Sequence, residues 1–370
     1  MNIAVCVNTL SAGGAEIFAS SIALEYKKSG HDVVFIVLRI VDDKGHSLAK
    51  EIKSNGIELI DLNYRSRHNL INYPFKLATI FKRHKIDVVH SHLEQMDMLV
   101  ALSSYLYGKP KLIRTLHSMN AFPGFNISIH KFLFKKFDKS IGCGTLMKKN
   151  YTIPELRHLI DPIDNGVKFV KISDTDIIKI RKKIRAELHI QDNIFVFLQI
   201  GRMTPVLGAL CKGHDFTINA VHAMKRNDFK VIFIGDDSSK NNPDLYNQDY
   251  IDDERLLFEG ITTCPLKYIL ASDAILAPSR VEGLPISTLE GVFYSKPVVC
   301  SNINVFDIFF NDSTLRMDIN NPSELSKKMI QMIDNYSEFY KKACKNAEIY
   351  IHQYSIERTS DRYLALMNEV

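Results

Sequence analysis

Two glutamates eight residues apart, Glu282 and Glu290, stand in the stretch Ala277 to Ser301, which reads APSRVEGLPISTLEGVFYSKPVVCS. A short apolar run, Ala274 to Ala277, ends in Pro278-Ser279, and a tight Glu282-Gly283-Leu284-Pro285 turn follows. Ile286 to Phe293 has helical character, and Ser295-Lys296-Pro297 leads into a second apolar run ending at Cys300. The order is strand, turn, helix, strand, with Glu282 in the turn and Glu290 about two helical turns on. Backbone N–H groups at a helix start are unpaired, and the dipole there favours an anion. Carboxylates accept hydrogen bonds from hydroxyls. An anion-attracting helix start flanked by two carboxylates therefore suits a ligand with phosphate at one end and hydroxyls at the other, as in a nucleotide-sugar. A plain capped helix after a strand would explain the glutamate spacing alone, but not the whole string.

Other pieces could join that chemistry. Gly13 and Gly14, in Ser11-Ala12-Gly13-Gly14-Ala15-Glu16, follow the first apolar run and open a helix. Glycines let a backbone approach a ligand closely, although a tight strand-to-helix turn accounts for them equally well. Gly201-Arg202 follows the strand FVFLQI, and Lys212-Gly213 precedes a helix. A guanidinium fork and an ammonium at such loops suit a diphosphate; a solvated surface cation is the plain alternative. His117 ends the run LIRTL, where a lone histidine is more often structural. His90 and His92 flank Ser91 at the previous strand end, with Glu94 beyond, and read as ordinary loop polars. No helical His-x-x-x-His or cysteine pair supports a metal site.

Elements must position these residues. The chain has 370 residues, more than one core usually supports, so two domains are expected. Strand-like runs recur at Ile3–Val7, Val33–Leu38, Ile57–Leu62, Asp87–His90, Lys111–Leu116 and Ser140–Cys143. A second series runs Ile194–Ile200, Lys230–Ile234, Leu256–Phe258, Ala274–Ala277 and Pro297–Cys300. Strands alternating with helices imply parallel sheets covered on both faces, hence two Rossmann-like halves. An Asn165-Gly166 turn marks the join, and helices near Ser323–Asn335, Ser337–Gln353 and Ile356–Glu369 close the chain. Asp236 to Glu254 reads as a polar surface excursion.

Residues 1–170 hold 23 Lys and Arg against 15 Asp and Glu, net +8; the remainder is net −3. A basic first half suggests an anionic partner. Anionic lipid headgroups or a lipid-linked phosphate fit better than nucleic acid, because the basic residues form no known nucleic-acid module. The segments Tyr73–Lys85 and Ile127–Lys139 interleave basic and aromatic residues; their apolar side chains are expected in the core of sheet-covering helices, and a solvated face or an anionic membrane surface both remain open for their lysines. No apolar run is long enough to span a bilayer, and MNIAVCVNTL reads as a core strand and not as a signal peptide. Six scattered cysteines read as reduced, buried thiols of a cytoplasmic protein.

Ser279-x-x-Glu282-Gly283-Leu284-Pro285, then Glu290-Gly291 and Lys296-Pro297-Val298, resembles the donor-site signature of the retaining family-4 glycosyltransferases, which have the GT-B fold. The resemblance implies an α/β protein of two Rossmann-like domains whose parallel sheets face each other across a cleft. It assigns 1–167 to the acceptor and 168–370 to the nucleotide-sugar, with the last helix, about 355–370, crossing back to the first domain. It implies a sugar moved with retention from a nucleoside-diphosphate sugar to an acceptor hydroxyl, without a metal or cofactor. Arg202 and Lys212 would hold the diphosphate. Gly283 and Leu284, beside Pro285, with Gly13 and Gly14 opposite, would cradle phosphates. Glu290 would take ribose hydroxyls, Glu282 sugar hydroxyls, and His117 would touch the transferred sugar. No side chain need be a covalent nucleophile, since the leaving phosphate is thought to assist the incoming hydroxyl. Family members make polysaccharide or lipopolysaccharide, here on a glycan or lipid-linked acceptor at the inner face of the cytoplasmic membrane.

The chain departs from the pattern in three places. Ser295 replaces the usual glycine before Lys296, Arg202 and Lys212 are ten residues apart where five is usual, and Gly235-Asp236-Asp237 lacks a second glycine, which leaves the donor base unread. A GT-B sugar-nucleotide epimerase and a nucleotide-sugar-binding pseudoenzyme or partner subunit stand as alternatives. A nicotinamide-dependent oxidoreductase lacks its glycine fingerprint.

Overall fold

The computed structural model describes residues 1–11, 13–64, 72–108, 110–118, 122, 124–203, 210–235, 253–262, 264–282, 285–309, 313–321 and 323–369. The chain divides into two units: unit 1 is Met1–Lys168 with Tyr354–Val370, and unit 2 is Phe169–Gln353.

Unit 1 runs β1 (Asn2–Leu10), α1 (Gly14–Lys28), β2 (Asp32–Ile40), α2 (Asp43–Ser54), β3 (Glu58–Asp61), α3 (Tyr73–Arg83), β4 (Val88–His92) and α4 (Glu94–Tyr107). It continues β5 (Lys111–Leu116), α5 (Ile127–Lys136), β6 (Lys139–Cys143), α6 (Thr145–Asn150) and β7 (Ile160–Ile163). The seven strands lie in the order β3-β2-β1-β4-β5-β6-β7, every pair parallel. Parallel strands are covered on both faces, which is why β1 reads as a nearly unbroken apolar run and Ile3 to Val7 are all fully buried. The order reverses between β1 and β4. At such a switch point the loops leave in opposite directions and open a crevice outside the strands' C-terminal ends.

Unit 2 runs α7 (Asp174–Glu187), β8 (Phe195–Ile200), α8 (His214–Ala223), β9 (Phe229–Ile234), β10 (Leu256–Phe258), α9 (Pro265–Ala271), β11 (Ala274–Ala277), α10 (Ile286–Phe293), β12 (Val298–Ser301), β13 (Thr314–Met317), α11 (Glu324–Asp334) and α12 (Tyr336–Tyr354). Its sheet, β10-β9-β8-β11-β12-β13, is also all parallel, with the reversal between β8 and β11. Two edge strands, β7 and β13, were absent from the expected series.

The last helix, α13 (Ile356–Glu369), returns to unit 1, where Ile356, Tyr363 and Met367 join the core that holds β1 and α1. Val167 pairs with Ser355 on the way, with Val167 N–H donating to Tyr354 O (2.8 Å) and Ile356 N–H to Val167 O (3.1 Å). This corrects the expected Asn165-Gly166 turn. The segment is not a turn, and Gly166 has no left-handed φ. A Cβ there would lie 2.4 Å from Ser355 O and 2.5 Å from Ile356 Cα, so glycine is required by the close passage of the returning chain.

The basic–aromatic segments are helices as expected, α3 and α5, with Leu77, Phe81 and Leu133 in the core. The cysteine expectation holds for Cys6, Cys143 and Cys300, which are buried; Cys264 and Cys344 are exposed. The polar excursion falls mainly on 236–252, outside the described residues.

Candidate active site

The switch point of unit 2 gathers the residues that the sequence singled out. Gly201 and Arg202 leave the end of β8, and Pro278 to Glu282 leave the end of β11. Lys212 and Glu282, 70 positions apart in the chain, meet there: Lys212 Nζ donates to Glu282 Oε1 at 2.5 Å. The Ser279 hydroxyl donates to the same carboxylate oxygen at 2.9 Å. Glu282's side chain is 9% exposed and that of Lys212 30%, so the pair is largely withdrawn from water while the ammonium keeps an open side. Lys212, Ser279 and Glu282 line one recess with Ser287 and Thr288 from the first turn of α10. Helices α8 and α10 both start here without a side-chain cap. Their first N–H groups and the ammonium form a cluster of donors suited to an anion, beside a carboxylate suited to hydroxyls.

The backbone around this cluster is bolted down. Gln199 Nε2 donates to Lys212 O (2.8 Å), and Thr217 Oγ1 donates to Gln199 Oε1 (2.6 Å). The Arg280 N–H donates to Cys211 O (2.7 Å), while its guanidinium makes a two-point pair with Asp215 (2.7 and 2.5 Å) over the Phe216 ring. Gly213 sits at φ +69°, and a Cβ there would lie 2.0 Å from Pro278 O. Gly235 sits at φ +147°, with a Cβ position 1.9 Å from Gly201 O, so the one glycine kept from the expected Gly-x-Gly packs two strand ends together. Lys296 is buried and donates to Ser272 O (2.7 Å), and burial pushes its ammonium down to about 8; its part is structural.

In unit 1, Gly13 is the N-cap of α1 in extended backbone and Gly14 its first residue, again with no side-chain cap. Glu16 folds back beside Gly13, taking hydrogen bonds from Thr9 Oγ1 (3.0 Å) and Ser11 Oγ (3.3 Å). His117, just past β5, shares a 3.0 Å hydrogen bond between its Nε2 and Nδ1 of His92, the last residue of β4. His90 is enclosed between Tyr26 Oη (3.0 Å) and Thr115 Oγ1 (2.8 Å), and Thr115 meets Tyr363 Oη (2.8 Å). Leu93, directly after His92, holds φ +72°, a costly conformation for a leucine and of the kind that clusters at functional sites.

Of the predicted site residues, Lys212, Glu282 and Pro285 come together with the start of α10. Arg202 is exposed beside Gly201 at the end of β8. Glu290 lies on the second turn of α10, partly buried. Gly283 and Leu284 lie outside the described residues. The reading of His90 and His92 as loop polars is corrected: both are fully buried residues of β4, and the pairing of His92 with His117 needs β4 and β5 to be neighbours. Ser279 had stood as a motif letter without a partner.

The imidazoles of His90 and His92, both fully buried, and of the half-buried His117 make a stability prediction. Burial, with repulsion from His117 added, pushes His90 down to about 3; burial pushes His117 down to about 4; and burial, with His90 and His117 beside it, holds His92 well below the ordinary value. From about pH 6.5 down to 4 the unfolded chain takes up protons that the folded chain refuses, so stability falls as pH falls, by about 1.4 kcal/mol per pH unit per such group. Asp97, raised to about 7 chiefly by burial, acts oppositely between pH 7 and 4 and offsets one of the three. Thermal melts from pH 7 to 4.5 should therefore show a falling Tm, and His90→Gln should flatten the slope by about one proton. A slope unchanged by the substitution would show that His90 is not held neutral.

Comparison with known proteins agrees with the geometry. The family description "Glycosyltransferase Family 4" matches residues 12–154, within unit 1, and "Glycosyl transferases group 1" matches residues 180–349, within unit 2. The O-antigen biosynthesis glycosyltransferase WclY of Escherichia coli is 27% identical over 81% of this chain and 84% of its own length. The Escherichia coli UDP-Gal:alpha-D-GlcNAc-diphosphoundecaprenol alpha-1,3-galactosyltransferase is 29% identical over 62% of this chain and 61% of its own. Among solved structures, Anabaena HepE in complex with UDP-glucose superposes over all of both chains with a TM-score of 0.81 at 16% identity. The two Rossmann-like units thus have the GT-B fold, and the chain belongs to the family-4, group 1 glycosyltransferases. It is an enzyme of sugar transfer.

Proposed function

We propose that the chain moves a sugar, with retention and without a protein-held metal ion, from a nucleoside-diphosphate sugar to a hydroxyl of a lipid-linked or cell-surface glycan. The observation that carries this is the Lys212–Glu282–Ser279 constellation between two uncapped helix starts in unit 2. Lys212 and Arg202 neutralise the diphosphate as it leaves, and N–H groups at the starts of α8 and α10 share its charge, which is the electrostatic work that speeds such a step. This donor set takes the place that a divalent ion would fill; no cofactor is needed. Glu282 accepts hydrogen bonds from sugar hydroxyls and Glu290 from the ribose. For unit 1, the reading gives the backbone N–H groups of Gly13 and Gly14 to phosphate and His117 to the transferred sugar. In the step itself the acceptor oxygen bonds to C1, the C1–O bond to the diphosphate breaks, and the departing phosphate oxygen takes the acceptor's proton.

The names of the Escherichia coli relatives support a polysaccharide setting and a diphosphate-linked lipid acceptor, and HepE supports a uridine nucleotide. The basic first half and the lysines of α3 and α5 favour work against the anionic cytoplasmic face of a membrane. No helix among the described residues is long and apolar enough to cross one. The test is proton NMR of the transfer product together with activity in excess EDTA. The α donor should give an α product at an unchanged rate. A β product would overturn retention, and a rate abolished by EDTA and restored by Mg²⁺ would overturn metal independence.

A further inference from the structure

Unit 1 has an apolar groove that the sugar chemistry does not use. It has a volume of about 770 Å³ and lies between the first turns of α3, the outer face of α4 and the segment around Phe125. That size falls within the range of small-molecule sites. Phe75, Leu102, Tyr105 and Leu106 line it while 41% to 66% exposed, a concentration of large apolar side chains that a soluble surface ordinarily avoids.

Two features say what covers it. The first is charge. Helices α3 and α5 carry Lys76, Lys82, Arg83, Lys131, Lys135 and Lys136 and not one acidic residue. Lys136 lies with its ammonium 3.8 Å from the centre of the Tyr105 ring, at the wall of the groove. A second copy of the chain seated by two-fold symmetry would set these basic helices against each other. An apolar chain bearing phosphate fits both groove and rim. The second is position. Leu38 near the end of β2, Tyr64 after β3, Gln95 and Met98 just beyond His92, and Phe122 just beyond His117 all contribute to the lining. The groove therefore opens at the C-terminal edge of the sheet, the same edge that carries His92 and His117.

We propose that this groove receives the hydrocarbon chain of the phosphate-linked acceptor lipid, with its phosphate at the His92 end of the groove and the basic residues of α3 and α5 supplying the surrounding positive field. The inference rests on the transferase reading for the identity of the lipid as acceptor, and its test is independent of any donor.

The chain has no tryptophan, so Leu106→Trp supplies a single fluorophore in the groove, and Ile349→Trp, on an exposed face of unit 2, a control. The probes are farnesyl diphosphate, geranyl diphosphate, inorganic diphosphate and phosphatidylglycerol vesicles. Farnesyl diphosphate should give a saturable blue shift at Leu106→Trp and none at Ile349→Trp. Each buried methylene strengthens binding about fourfold, so geranyl diphosphate should bind at least about tenfold more weakly. Inorganic diphosphate should give no shift. Adding Phe75→Gln and Leu102→Gln should abolish the response, and Lys136→Glu should weaken it, with melting temperatures and donor hydrolysis unchanged. No shift with farnesyl diphosphate overturns the proposal. A shift with phosphatidylglycerol vesicles but not with farnesyl diphosphate also overturns it, in favour of bilayer docking. A shift that follows protein concentration without lipid overturns it in favour of self-association. If the farnesyl response stands while every nucleotide-sugar proves inert, the lipid site survives and the transferase reading fails.

Discussion

Lys212→Ala is expected to lower kcat/KM for the nucleotide-sugar by roughly 10²- to 10³-fold, the usual cost of removing one fixed donor from a site where charge develops. The substitution also disturbs folding, because Glu282 is 9% exposed and would lose its cation while keeping only the Ser279 hydroxyl. Orphaning a carboxylate in a wholly buried pair costs about 3–5 kcal/mol; with Lys212 30% exposed, about 1–3 kcal/mol is the fitting range here. The two effects separate in the double variant Lys212→Ala/Glu282→Gln. Its neutral amide no longer needs a counter-charge, so most of the lost Tm should return while the rate stays low. Thermal melts beside steady-state kinetics decide it. If rate and stability recover together, Lys212 is a structural brace and the diphosphate is neutralised elsewhere.

Gly213→Ala should cost about 3 kcal/mol or more. The residue combines φ +69° with a Cβ position 2.0 Å from Pro278 O, so a methyl group pays for left-handed backbone and also pushes apart the two loops that carry Lys212 and Glu282. Gly260 in the same unit has φ +67° and nothing within 4 Å of its Cβ position. Gly260→Ala therefore pays only the conformational term, about 1–2 kcal/mol. Denaturant titration of both variants isolates the loop contact as their difference. Activity should drop in Gly213→Ala well beyond its stability loss at assay temperature and hold in Gly260→Ala. Equal destabilisation of the two would show that the Pro278 contact relaxes at no cost.

The Glu282 string was the most readable part of the chain because its parts are local: a strand end and a helix start fall within a few residues of each other. The sheets were readable as two series of apolar runs, since parallel strands covered on both faces need no polar alternation. Two edge strands escaped. Ile160–Ile163 contains Pro162, which a sheet accepts only at an edge or at a strand end, and Thr314–Met317 is short and half polar. Strand order was not readable, and with it went every contact that depends on order. The pairing of Lys212 with Glu282 needs β8 beside β11, and that of His92 with His117 needs β4 beside β5. Gly166 shows a different limit. Asn-Gly signals a left-handed turn, but here the glycine is used for its missing Cβ, and those two uses look alike in sequence.

The most direct test of the account is a donor panel. Purified protein is given UDP-, GDP- and ADP-sugars, release of nucleoside diphosphate is followed, and Lys212→Ala and Glu282→Ala serve as controls. One donor should be hydrolysed slowly without acceptor, and both variants should lose that activity while remaining folded. Silence across the panel, with no nucleotide raising the melting temperature, would contradict the assignment of unit 2 as a nucleotide-sugar site.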